Sequence, residues 1–147
     1  MKEFTYLSSV HGENSTIDDR RSLVEAYWKA CNLSYTDGPG SQSFEQFIKS
    51  ARRVITRLKR TEYDTIAMFS HRQFICALLW LSQRDPVDLS QDTMREFKDF
   101  LDKDTLADGA IVNIQFNHSH ERWECEVITL HLEELEKLEK QGLAPVR

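Results

Sequence analysis

Apolar positions along the chain change period several times, and those changes divide it into elements. Val24, Tyr27, Trp28 and Cys31 recur at i, i+3, i+4 and i+7, one face of a helix. Thr16 precedes that run as an N-cap, with Asp18 and Asp19 in the first turn, where carboxylates favour the helix dipole. Asn32 to Gln42, with Asp37-Gly-Pro-Gly40 inside it, is a turn-rich connector. Ser43-x-x-Gln46 then has the form of a capping box. Phe44, Phe47, Ile48, Ala51, Val54, Ile55 and Leu58 follow at a 3.6-residue period, the clearest helix in the chain. Lys49, Arg52, Arg53, Arg57 and Lys59 fall between them and read as a solvated face rather than a nucleic-acid patch.

The pattern then changes. Asp64-Thr-Ile-Ala-Met-Phe-Ser70 carries a continuous apolar run at Thr65–Phe69, the signature of a strand covered on both faces. Phe74 to Leu81 is apolar nearly all round and predicts a buried helix, ended by Arg84-Asp85-Pro86. Ser90 to about Lys103 makes another helix, with Met94, Phe97 and Leu101 toward the core. Ala110–Phe116 and Arg122–Ile128 both alternate and predict an antiparallel hairpin with Val112, Ile114, Trp123, Cys125 and Val127 on its buried face. Leu132 to Lys140 reads as a charged helix supported by Glu133 with Lys137. Residues 1–15 have no sustained period and read as an irregular segment. Helices on both sides of a central strand, with a terminal hairpin, predict an α/β sandwich with a mixed sheet in one domain over residues 1–147.

Composition narrows the function classes. A formal charge of −5 argues against broad binding to nucleic acid or to a membrane surface. No apolar run approaches the roughly 20 residues that span a bilayer, and the N-terminus has no signal-peptide core. Cys31, Cys76 and Cys125 are odd in number and widely spaced, which points to unbridged thiols in a reducing cytoplasm. His118 and His120 flank a turn with no third ligand in sight and read as loop histidines, so no metal is expected.

The chemistry concentrates at Ser70-His71-Arg72. An imidazole delivered to a helix N-terminus stands beside backbone N–H groups and the positive end of the dipole, a place suited to a phosphate. Gly40-Ser-Gln-Ser-Phe44, Phe69-Ser-His71, Gly109-Ala-Ile-Val and Thr129-Leu-His-Leu132, in this order, resemble the second half of the histidine phosphatase superfamily, which includes the phosphoglycerate mutase-like phosphatases. The likeness runs from about Glu3 to Leu132, and the strand–Ser-His–helix unit is its most specific piece. It implies a three-layer phosphoglycerate mutase-like sandwich, a phosphorylated small molecule as substrate, and phosphomonoester hydrolysis or transfer through phosphohistidine without a cofactor. His71 resembles the second histidine of that family, which contacts the transferred phosphoryl group. Glu3 resembles its general acid. Ser70, Arg72, Arg20 and Arg21 resemble phosphate- or substrate-binding positions.

The departures matter as much. The Arg-His-Gly strand that carries the family's nucleophile is missing, as though a full-length member had lost its first part. Arg72 and Gln73 stand where glycines are common, and Gln42 where glutamate is common. Val10-His11-Gly12 imitates the nucleophile motif, but Val10 replaces its arginine and the segment reads as an exposed loop. The chain alone is therefore expected to be inactive or weak. A second expectation, of another class, is a non-catalytic binding or assembly module: loss of a neighbouring strand would leave the edge of Thr65–Phe69 open, to be covered by the chain's own N-terminal segment or by another subunit of a homo-oligomer.

Overall fold

A computed structural model of the chain describes residues 4–8, 10, 16–84, 86–103, 106–107, 109–129, 131–134 and 137. They fall into two compact units, Met1–Asp104 and Thr105–Arg147. No helix among the described residues is long and apolar enough to cross a membrane.

The first unit is helical: α1 (Ile17–Ala30), α2 (Phe44–Lys59), α3 (Arg72–Ser82) and α4 (Gln91–Lys103). Its starts follow the sequence closely. Thr16 accepts from the Asp19 N–H while the Asp19 carboxylate receives the Thr16 N–H, closing a capping box. Ser43 and Gln46 do the same for α2. Ser90 Oγ accepts from the Thr93 N–H at 3.1 Å at the head of α4. At its far end α1 stops at Cys31, whose φ of 46° is left-handed and turns the chain away.

The expected faces pack together. Tyr27, Trp28 and Cys31 are buried from α1, Phe44, Phe47, Ile48, Ala51 and Ile55 from α2, and Met94 and Phe97 from α4. α3 is buried nearly throughout, from Phe74 to Leu81. Phe97 is fully enclosed, and its ring meets Trp80 at 5.5 Å, Phe44 at 5.6 Å, Phe47 at 5.9 Å and Trp28 at 6.4 Å between centroids. One α4 side chain thus touches aromatic residues of the other three helices.

The N-terminal segment joins this core, which its lack of period did not predict. Phe4 is buried and stacks on Phe47 with centroids 4.0 Å apart. Tyr6 packs against Tyr27 at 4.8 Å. The Gln42 N–H donates to the Thr5 carbonyl at 2.7 Å, and the Ser8 N–H to Asp37 Oδ2 at 2.8 Å, which ties the segment to the connector.

The predicted central strand does not form. Residues 61–71 contain no strand, and no backbone group from Glu62 to Ser70 bonds to the backbone of another described residue. Ile66, Met68 and Phe69 are 45%, 38% and 91% exposed. A strand exists only by pairing, and no other strand of this unit is present among the described residues to pair with it. The apolar α3 is covered by α2 and α4 rather than by a sheet.

The second unit holds the one sheet among the described residues, an antiparallel pair of β1 (Ile111–Asn117) and β2 (Arg122–Ile128). Val112 faces Val127, Ile114 faces Cys125 and Phe116 faces Trp123, so the predicted residues do share one face. That face is only half covered: Val127 is 49% exposed and Cys125 is exposed. Asn117 Oδ1 accepts from the Ser119 and His120 N–H groups at 3.1 Å and closes the turn. Residues 131–134 are helical, and most of the predicted terminal helix lies outside the described residues. The chain thus combines helices with a two-stranded antiparallel sheet, an α/β composition, and the described residues contain no mixed sheet.

Truncating the shared ring by Phe97→Ala should cost about 3–5 kcal/mol and loosen all four helices together, as read by denaturant unfolding. Tyr27 makes a second prediction. Its hydroxyl is buried without a hydrogen-bond partner among the described residues; the nearby Phe44 N–H favours the ionised form slightly but does not reach bonding geometry. Burial, then Tyr6 and Cys31, push its pKa above the ordinary 10.0. A raised folded pKa gives stability that is complete below the unfolded value and is lost as pH rises beyond it. Tyr27→Phe should therefore stabilise the unit by about 1 kcal/mol at neutral pH. It should also flatten the loss of stability above about pH 10. Urea titrations at neutral and alkaline pH check both.

Candidate functional site

Three of the four helices of the first unit begin on a hydroxyl side chain that accepts an N–H of the first turn; α3 does not. His71 occupies its N-cap with extended backbone (φ −84°, ψ 150°), and its side chain makes no cap hydrogen bond. The first turn of α3 contains no acidic residue either. The Phe74 and Ile75 N–H groups both donate to the His71 carbonyl, at 3.0 and 3.1 Å. The Gln73 N–H has no acceptor among the described residues. This end of α3 therefore keeps an uncompensated partial positive charge and an unused donor.

The imidazole of His71 is exposed and bonds to no described residue. Just before it, the Ser70 hydroxyl is buried without a hydrogen-bond partner among the described residues. Arg72 and Gln73, in the first turn, line a cleft of about 200 Å³ with Tyr6, Val24, Trp28, Lys98, Leu101 and Asp102. Lys98 in the same cleft is bonded to Asp102, and its ammonium lies 5.9 Å from the centre of the Trp28 ring. Neither Ser70 nor His71 lines that cleft, so at this end of α3 the groups that favour an anion are the helix dipole, the open Gln73 N–H and the exposed imidazole of the N-cap residue. Those groups suit one phosphate-sized ligand.

The residues singled out in the sequence are only partly brought together. Ser70, His71 and Arg72 are consecutive at the head of α3. Arg20 and Arg21 are exposed on α1, and neither lines the cleft, although Val24 on the same helix does. Arg21 pairs with Glu25 at 3.8 Å, and Arg20 Nε reaches the Thr16 carbonyl at 3.5 Å. Glu3 and His11 lie outside the described residues. Among the described residues of this unit His71 is the only histidine. His118 and His120 are exposed on the hairpin turn, and no metal-binding group of three His, Cys, Asp or Glu occurs among the described residues. Of the cleft residues that sequence reasoning missed, Tyr6, Lys98 and Asp102, Tyr6 comes from the segment without a period. The spacing of Phe4 and Tyr6 was its only signal, and two residues are too few to define a period.

Comparison with family models, with curated proteins and with solved structures finds no match to this chain.

His71 sits where a serine would serve the helix better. His71→Ser should supply the missing cap and raise the stability of the unit by about 1 kcal/mol. Thermal unfolding of the two proteins, read at 222 nm by circular dichroism, checks the gain; an unchanged midpoint would mean the cap position is already satisfied.

Proposed function

We propose that this chain is a phosphoglycerate mutase-like member of the histidine phosphatase superfamily that keeps the phosphate-holding half of the site. In this reading His71 and the first turn of α3 hold the phosphate of a small phosphomonoester in the cytoplasm, without metal or cofactor. The observation that carries the reading is the uncapped start of α3: its N-cap residue, His71, is exposed and makes no cap hydrogen bond, and the Gln73 N–H has no acceptor among the described residues. A helix start without its own acceptor favours an anion from outside. Hydrolysis would need more than this. In-line transfer takes a nucleophile opposite the leaving group and a donor to protonate the departing alkoxide. Glu3, the general acid in this reading, and His11 lie outside the described residues, so binding is the part of the function with a physical basis here.

The segment from Glu62 to Ser70 favours a second reading, an assembly module. Its backbone bonds to the backbone of no other described residue, and with its exposed Ile66, Met68 and Phe69 it offers a surface for a second copy of the chain to cover. In this reading the hairpin, with its half-exposed apolar face, is a further surface for the same partner.

Inorganic phosphate titrated into labelled protein should shift the Arg72 and Gln73 amides, and His71→Ala should weaken that binding about tenfold, the worth of roughly 1.4 kcal/mol. Turnover of a generic phosphomonoester should stay near the blank in both proteins. Robust turnover that His11→Ala abolishes would sink the half-site reading. For the assembly reading, light scattering should report a dimer or larger species that Phe69→Lys dissociates. A stable monomer at micromolar concentration argues against it.

A further inference from the structure

Basic residues along α2 change character halfway down the helix. Lys49, near its start, pairs with Glu45 at 2.6 Å. Beyond that pair α2 contains no acidic residue, and the next in the chain is Glu62. Elsewhere the cations of the described residues repeatedly find carboxylates, as in Arg84 with Glu96 and Arg95 with Asp92. Arg53, Arg57 and Arg60 find none among the described residues; Arg53 Nε reaches only the Lys49 carbonyl, at 3.4 Å. Yet these three stand at i, i+4 and i+7. Arg60 caps the helix with helical backbone (φ −104°, ψ 0°), so the row continues through it along one face.

Together with Arg52, Tyr63 and Glu62, the row lines an open groove of about 860 Å³, within the roughly 300–1,000 Å³ common for small-molecule sites. Like charges three and four residues apart repel, so the row is unfavourable as it stands. The helix dipole accounts for Arg57 in the last turn of α2, but its effect fades within that turn and does not account for Arg53. Sequence reading takes Arg53 and Arg57 for part of a solvated face. The convergence of Arg53, Arg57 and Arg60 on one groove, with no carboxylate partner among the described residues, is what an anion with several charges would offset.

We propose that this groove binds a chain of two or more linked phosphates. The row from Arg53 to Arg60 runs about 10 Å along the helix, at about 1.5 Å per residue. That length offers planar forks to successive phosphates, which a single phosphate could not bridge. Glu62 sits at the end of the row and opposes a lone anion, which raises the charge that the ligand must bring. Tyr63, 79% exposed at the rim, offers a ring on which a nucleoside attached to the phosphates can stack. The ligand is therefore an inorganic oligophosphate or a nucleoside polyphosphate, recognised in either case through its phosphate chain. The assignment is independent of His71 and of the phosphatase reading.

The test is calorimetric titration of the full chain with sodium tripolyphosphate at about 150 mM salt, where screening acts over about 8 Å. Saturable binding is expected, weakened at least tenfold in Arg57→Gln/Arg60→Gln and unchanged in Lys29→Gln, an exposed control on α1. Thermal unfolding without ligand checks that the double variant is folded. Binding of ATP that is tighter than that of tripolyphosphate, by a margin that Tyr63→Ala removes, assigns the source to a nucleotide. Equal affinities assign it to the phosphate chain alone. The proposal is overturned by an absence of saturable binding or by equal loss in Lys29→Gln. It is also overturned if a single-stranded oligonucleotide binds more tightly than either phosphate ligand, which would make the groove a nucleic-acid surface.

Discussion

The helical unit depends on one buried ring. Phe97 is enclosed on all sides and touches Trp28 of α1, Phe44 and Phe47 of α2, and Trp80 of α3. Aromatic pairs at such separations add specific geometry to the area they bury, so the ring fixes angles as well as distances. α4 has 13 residues and α3 has 11, lengths at which an isolated helix is marginal in water. Both therefore owe their order to this packing. The position of His71 follows from it, because the start of α3 is held by what the rest of α3 is buried against.

The same packing explains the exposed segment before α3. A helix that is apolar all round needs cover on every side, and in an α/β sandwich a sheet supplies much of it. Here α2 and α4 take up that role, with Phe74 against Phe47 and Trp80 against Phe97. Thr65–Phe69 then has no paired neighbour among the described residues and is exposed along its length. Its exposure is the counterpart of the helices' self-sufficiency, and it is the reason an assembly reading stands beside the phosphate reading.

The helices were legible in the sequence because two independent signals coincide there. The 3.6-residue spacing of Phe44, Phe47, Ile48, Ala51 and Ile55 names the buried face, and Ser43 with Gln46 names the start. The hairpin was equally plain in its register, since alternation fixes which residues share a face, but alternation does not say whether anything covers that face. The strand was misread because composition measures how apolar a segment is, whereas a strand needs a partner that composition does not contain. Phe4 and Tyr6 were missed because contacts across the fold leave no local period. At the site, the place of His71 at the head of a helix was legible and its lack of a cap was not. For the arginine row, the sequence already contained the absence of acids after Glu45; only the fold brings Tyr63 and Glu62 round to line the same groove.

The two basic features differ in what they can hold, and helix polarity decides the difference. At the start of α3 the dipole, the open Gln73 N–H and the imidazole all favour negative charge, so few side-chain cations are needed and one phosphate suffices. At the end of α2 the dipole has the opposite sign and Glu62 adds to it, so any attraction must come from several guanidiniums acting together. Guanidiniums are weakly hydrated and fork-shaped, and they cost less to desolvate against phosphate oxygens than ammonium groups do. A net charge of −5 repels anions from the chain as a whole, but screening confines that repulsion to about 8 Å at physiological salt. Local arrangement therefore outweighs the total, and in the proposed readings it sorts ligands by charge: a single phosphate to the start of α3, a multiply charged phosphate chain to the end of α2.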